Sequence, residues 1–166
     1  MKKLWLLPVL LLAASVIIFT GCKDDDESSG GGAAEPKEIT DFSFAEYNNG
    51  SGAIVTLSNS NKTIALNNPG NAGGFSYTLP DDWTDYSQIK FDYTCSITAG
   101  ATKFILKKGS GWTDVSPETY VEFTGTSKTI NLNLFTGETK IYFQHNSDGN
   151  STPNYSIAFT KISLIP

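Results

Sequence analysis

From Ile89 to Ile97 apolar and polar residues alternate without a break. Ile89, Phe91, Tyr93, Cys95 and Ile97 make one set, and Lys90, Asp92, Thr94 and Ser96 the other. Successive side chains of a strand point to opposite faces, so this run reads as a strand with one face in a core and one in water. The same period recurs at Phe104 and Leu106, at Val121 and Phe123, at Ile130, Leu132 and Leu134, and at Ile141 and Phe143. Fainter strands are read over 42–45, 53–58, 62–67 and 75–79. After residue 39 no segment keeps a 3.6-residue apolar period for three turns, which excludes a helical core.

Turn residues separate these runs: Asn49-Gly50, Pro69-Gly70-Asn71, Gly73-Gly74, Ser110-Gly111, Thr136-Gly137 and Asp148-Gly149-Asn150. In the last strand Tyr155, Ile157 and Phe159 alternate, then the apolar phase slips to Ile162 and Leu164. One extra residue at Thr160 or Lys161 restores the register, which is what a β-bulge does. About ten short strands at this spacing predict an all-β fold, a two-sheet antiparallel β-sandwich of jelly-roll type. No internal repeat is present, which argues against a propeller or solenoid.

The N-terminus carries an address. Lys2 and Lys3 precede an apolar run from Leu4 to Phe19. As a helix it would span about 24 Å, short of the ~30 Å hydrocarbon core. A charged start, a short apolar stretch and then small residues form a secretory signal. Gly21-Cys22 resembles a bacterial lipobox, which makes Cys22 the lipidated first residue of the mature chain and the membrane, through that anchor, a partner. Phe19 departs from the aliphatic residue usual at its position. The expected location is the outer membrane, with a resemblance to the surface-export signal of Bacteroidetes lipoproteins in Lys23-Asp24-Asp25-Asp26-Glu27. An ordinary polar tether has the same composition. The expected layout is signal peptide 1–21, flexible tether 22–38 and binding domain 39–166.

Charge narrows the partners. All 12 basic residues are lysine, against 17 acids. Loss of Lys2 and Lys3 with the signal leaves ten lysines and a net charge of −7. Phosphate backbones would be repelled, which excludes nucleic acid as a partner. With Cys22 acylated, Cys95 has no disulfide partner; its phase with Phe91 and Tyr93 predicts a buried, inert thiol.

Catalysis finds little support. Glu118 and Glu122 lie four residues apart, about 13 Å along a strand. Glycosidase carboxylates stand ~5–9.5 Å apart, so this pair does not suit one. His145, the one histidine, reads as a polar loop residue at a strand end and cannot alone build a transition-metal site. The chain is expected not to be an enzyme and to need no cofactor. Trp83, ahead of the Ile89 strand, reads as structural.

Three stretches resemble the jelly-roll carbohydrate-binding modules of the galactose-binding-like superfamily. They are Trp83-Thr84-Asp85-Tyr86-Ser87 leading into Ile89–Tyr93; Phe104–Gly109 with Thr129–Leu134; and Ile157–Leu164 as a bulged closing strand. The resemblance covers about Gly73 to Pro166. It implies a non-catalytic sugar-binding sandwich, expected to be monomeric. Related modules often hold a structural calcium between first and last strands, for which Asp41 and Glu46 are the weak candidates. Thr160 stands where such a closing strand often has an aspartate, so one hard oxygen ligand is missing.

Sugar binding needs an aromatic ring against the C–H side of a pyranose and amides or carboxylates across its hydroxyls. Outward-facing Tyr142, Gln144, Asn131 and Tyr120, with Trp112 in the Gly109-to-Pro117 loop, are the candidates. Asn133, Asn146 and Glu122 lie nearby in sequence. A neutral sugar carries no charge, so its site can lack arginine and lysine, and the expected partner is a neutral polysaccharide or oligosaccharide. The alternative is a structural or adhesive surface lipoprotein that binds a protein.

Overall fold

A computed structural model describes residues 34–48, 54–67, 73–97, 102–109, 113–115, 118–146 and 153–166. The signal, Cys22, most of the tether and Trp112 lie outside the described residues. The strands are β1 (Lys37–Ile39), β2 (Phe44–Asn48), β3 (Ile54–Ser58), β4 (Thr63–Asn67), β5 (Gly73–Thr78) and β6 (Gln88–Cys95). They continue with β7 (Lys103–Lys108), β8 (Thr113–Asp114), β9 (Tyr120–Glu122), β10 (Ser127–Asn131), β11 (Lys140–His145) and β12 (Tyr155–Ile165). Helix is confined, among the described residues, to two single 3-10 turns at Trp83–Asp85 and Leu132–Phe135.

The strands form two antiparallel sheets. One has the order β10-β6-β12-β4-β3, with β1 also on β12. The other runs β2-β5-β11-β7-β8, with β9 also on β7. This is the all-β sandwich that the alternation predicts. The long strand β12 pairs with β6 along its length, while β4 and then β1 take turns on its other edge. The register of β12 against β6 shifts between Phe159 and Lys161. Thr160 is thus the bulge residue, and its hydroxyl donates to the Asp92 carbonyl at 3.1 Å.

The core is aromatic. Phe91 and Phe159 from the first sheet meet Phe44, Phe75 and Phe143 from the second, with Phe123 joining them just after β9; Phe75, Phe91, Phe123 and Phe143 are fully buried and Phe44 and Phe159 nearly so. Phe75 stacks on Phe143 at 4.6 Å, and Phe91 meets Phe143 edge to face at 5.8 Å. Such pairs add ~0.5–1.5 kcal/mol each beyond the area they bury, and their geometry fixes how the sheets sit on one another. Trp83 is buried in its 3-10 turn, in keeping with a structural role.

Four local expectations are corrected. Leu132 and Leu134 do not extend a strand: the Asn131 side chain accepts a hydrogen bond from the Asn133 N–H at 2.9 Å and starts the 3-10 turn. His145 is not a loop residue but the last residue of β11, fully buried between Phe104 and Tyr155 at 5.5 and 5.9 Å. It follows Ile141 and Phe143 on the inward phase, which overrides its polarity. Cys95 is only half-buried, because it ends β6. Lys37 and Glu38, expected in the tether, already pair with Leu164 and Ser163. Pairing with β12 holds this short strand, which no apolar alternation announces, and exposed ion pairs of Lys37 with Asp82 and of Glu38 with Lys161 flank it.

Candidate functional site

The outer face of the second sheet collects the exposed chemistry. In β11 Ile141, Phe143 and His145 are buried, so Tyr142 and Gln144 point outward and are half-buried. In β9 Val121 points inward and leaves Tyr120 and Glu122 outside. Strand register then aligns residues from five strands. Tyr47 opposes Gly74, Gly74 opposes Gln144, Gln144 opposes Ile105, and Ile105 opposes Tyr120. The neighbouring row runs Ala45, Ser76, Tyr142 and Lys107. Four interstrand steps separate the outer tyrosines, roughly 19 Å at about 4.8 Å per step.

Each end of this line is held in place. Tyr47 and Tyr142 meet edge to face with ring centroids 5.3 Å apart. Burial, and then the neighbouring Tyr142, push the Tyr47 phenol up, so it stays a neutral donor. At the other end Tyr120 is 42% exposed, the one large hydrophobic side chain so open among the described residues. Its hydroxyl donates to the Glu118 carboxylate at 2.6 Å, and the Lys103 ammonium lies 4.4 Å from its ring centroid. An aromatic side chain fixed this way loses little freedom when something stacks on it.

Gly74 lies between the two ends. A Cβ there would sit 1.8 Å from the Phe143 carbonyl oxygen, so only glycine lets β5 approach β11 this closely. In the row of residues Tyr47 and Gln144 therefore flank a position with no side chain.

Of the five expected sugar-binding residues, the fold brings Tyr120, Tyr142 and Gln144 onto one face. Asn131 belongs to the other sheet, on β10, and its side chain is engaged in capping. Trp112 lies outside the described residues. Glu118 precedes β9 and is turned to Tyr120, so it makes no pair with Glu122. Tyr47 was missed. Its signal is its spacing: three residues from inward Phe44, an odd step on a strand, it must face the opposite way. Asp41 and Glu46 are exposed. No group of three acids, histidines or cysteines able to hold a metal occurs among the described residues.

No family model matches this chain, and no curated protein matches it. Among solved structures it is similar to a low-affinity xylan-binding module, CBM86, from the gut symbiont Roseburia intestinalis. The two are 13% identical, with a TM-score of 0.47, over 78% of this chain and 92% of that one. At that distance no residue of one chain takes its role from the other.

Proposed function

We propose that this protein is a non-catalytic module that captures a neutral polysaccharide along the outer face of its second sheet. The observation that carries the reading is the line from Tyr47 across Gly74 and Gln144 to Tyr120, flanked by Tyr142. Tyr142 and Tyr120 would stack on the C–H faces of separate sugar rings, and the Gln144 amide would bridge hydroxyls between them. The strands of Tyr142 and Tyr120 stand two steps apart, roughly 10 Å. That spacing suits rings along an extended chain running across the strands, while buried Tyr47 braces Tyr142 from behind. Lys103 on this face has neighbours that offset its charge: it lies over the Tyr120 ring and opposes Glu122. The face therefore offers donors and acceptors without a strong field of one sign, which favours an uncharged ligand. Acylation of Cys22 would hold the module at the outer membrane, its tether letting the sheet reach glycan for other proteins to process.

Affinity electrophoresis of the full chain through gels containing xylan, β-glucan or galactan tests this. The parent should be retarded by at least one, and Tyr142→Ala and Tyr120→Ala should each lose most of that retardation with folding intact. A lost aromatic anchor of ~2 kcal/mol weakens binding about thirtyfold. Asn131→Ala should bind as the parent does. Retention of binding in both tyrosine variants would move the site elsewhere. Failure of the parent on every neutral glycan would favour an adhesive role toward a protein.

A further inference from the structure

We propose that the hollow at the end of the sandwich, between the β1–β2 crossing and the end of β5, is a second binding site for a single neutral sugar ring or a comparable small polyol. The cavity holds about 300 Å³. It forms because β1 belongs to one sheet and β2 to the other, so residues 40–43 must cross the end of the sandwich. Opposite them, the chain leaves β5 at Thr78 and continues through Leu79 and Pro80 toward the Trp83 turn.

Both walls are tied down. The Leu79 N–H donates to the Thr139 carbonyl at 2.9 Å, and the Lys37–Asp82 ion pair joins β1 to the loop beyond. On the crossing side the Phe44 N–H donates to the Asn61 carbonyl at 2.9 Å, and the Lys62 ammonium lies 4.4 Å from the Phe42 ring centroid. The hairpin that supplies these contacts holds Asn59, Ser60 and Asn61 at φ of 52°, 54° and 60°. Three successive non-glycine residues in that region cost roughly 1 kcal/mol or more each, so the surrounding contacts must over-determine the turn. A cavity built on such supports keeps its shape before a ligand arrives, which lowers the cost of binding.

The lining selects the ligand class. Asp41, Ser43, Tyr77 and Thr78 carry oxygen, while Phe42 and Leu79 give apolar wall. No lysine or histidine lines it, so an anion would find no counter-charge. An apolar guest would strand the hydroxyls, which is costly. A metal ion would find one carboxylate and no convergent set of acids. A polyhydroxylated neutral molecule matches both the alternating donors and acceptors and the apolar wall. Burial pushes the Tyr77 phenol up to about 12, so it remains a donor at any physiological pH. The volume stands at the bottom of the ~300–1,000 Å³ range of ligand sites, enough for one ring and not for a chain. The site is distinct from the tyrosine line, since Tyr77 faces the core side of its sheet and Tyr142 the outer side.

The test is an amide NMR titration of the isotope-labelled full chain with D-xylose, D-glucose and D-galactose. At least one should give saturable shifts confined to residues 41–43 and 77–79. Ser43→Leu, which fills the hollow, should weaken that response at least tenfold; Thr78→Leu serves if the first variant does not fold. Tyr142→Ala, which removes the sheet platform, should leave it within twofold. The proposal fails if none of the three sugars gives saturable shifts, if the shifts survive the filled cavity, or if they map to Tyr47, Tyr142 and Gln144. Retardation on polysaccharide gels, read on the same variants, reports separately on the sheet face.

Discussion

Gly74→Ala should damage the sheet that bears the tyrosine line, and its size can be worked from contacts. The added methyl would lie 1.8 Å from the Phe143 carbonyl oxygen and 2.9 Å from its carbon. Real Cβ atoms essentially never come within 3.0 Å of such a neighbour, so β5 and β11 must part by more than an ångström. Neither can slide freely. β11 is held by β7 through Gln144 opposite Ile105, and β5 by β2 through Gly74 opposite Tyr47. Overpacking costs ~1–3 kcal/mol, and one or two stretched ladder bonds add ~1 kcal/mol each. The expected loss is about 2–5 kcal/mol, a large part of a domain's ~5–15. Urea unfolding followed by tryptophan fluorescence should show it, with the melting temperature lower by roughly 3 °C per kcal/mol. Gly125→Ala is the control: φ is +80° with nothing within 4 Å, so only local strain of ~1–2 kcal/mol is expected. If Gly74→Ala unfolds within about 0.5 kcal/mol of the parent, or costs less than Gly125→Ala, the close approach of these strands is wrong.

Phe91→Ala should cost ~3–5 kcal/mol, since Phe91 is fully buried against Tyr77, Phe143 and Phe159; a parent-like melting curve would invert the assigned strand phase. Stability should also fall in strong alkali. Burial pushes the phenols of Tyr77 and Tyr93 up to about 12, so both are neutral in the fold and ionise more readily once unfolded. Their contribution is whole below pH ~10 and is lost as the pH climbs through about 12. The part of the phenolate absorbance that belongs to Tyr77 and Tyr93 should accordingly rise late and together with unfolding; complete titration near pH 10 with the fold intact would contradict this. Cys22→Ser should release the protein from membranes or leave its precursor uncleaved. Unchanged mass and fractionation in that variant would remove lipidation from the account.

Much of the fold was legible along the chain. Phe91 and Phe143 announced themselves as core by their period, and the slip after Phe159 marked a bulge that the β12–β6 register places at Thr160. The candidate site was legible in parts. Tyr142 and Gln144, two apart on one strand, had to share a face, and Tyr120 could be recognised as outward from Val121. Asn131 looked equally outward, yet it sits in the other sheet with its side chain capping a turn. Tyr47 lay beyond the strand read over 42–45, which in the fold runs from Phe44 to Asn48, and it completes the line. His145 carried a polar side chain on an inward phase, and phase prevailed.

What the sequence alone determined here is whatever depends on near neighbours: strand period, turn residues, the bulge and the sign of the charge. These follow from backbone geometry and side-chain chemistry within a few residues. Which strands lie side by side is decided by packing between segments far apart in the chain. The pairing of β5 with β2 and, through the missing side chain at Gly74, with β11 brings Tyr47 and Tyr142 into contact. The crossing from β1 to β2 opens the cavity beside Tyr77 only because the two strands join different sheets. Neither arrangement has a local signature, because a strand's alternation tells which side faces the core and says nothing about the strand beside it.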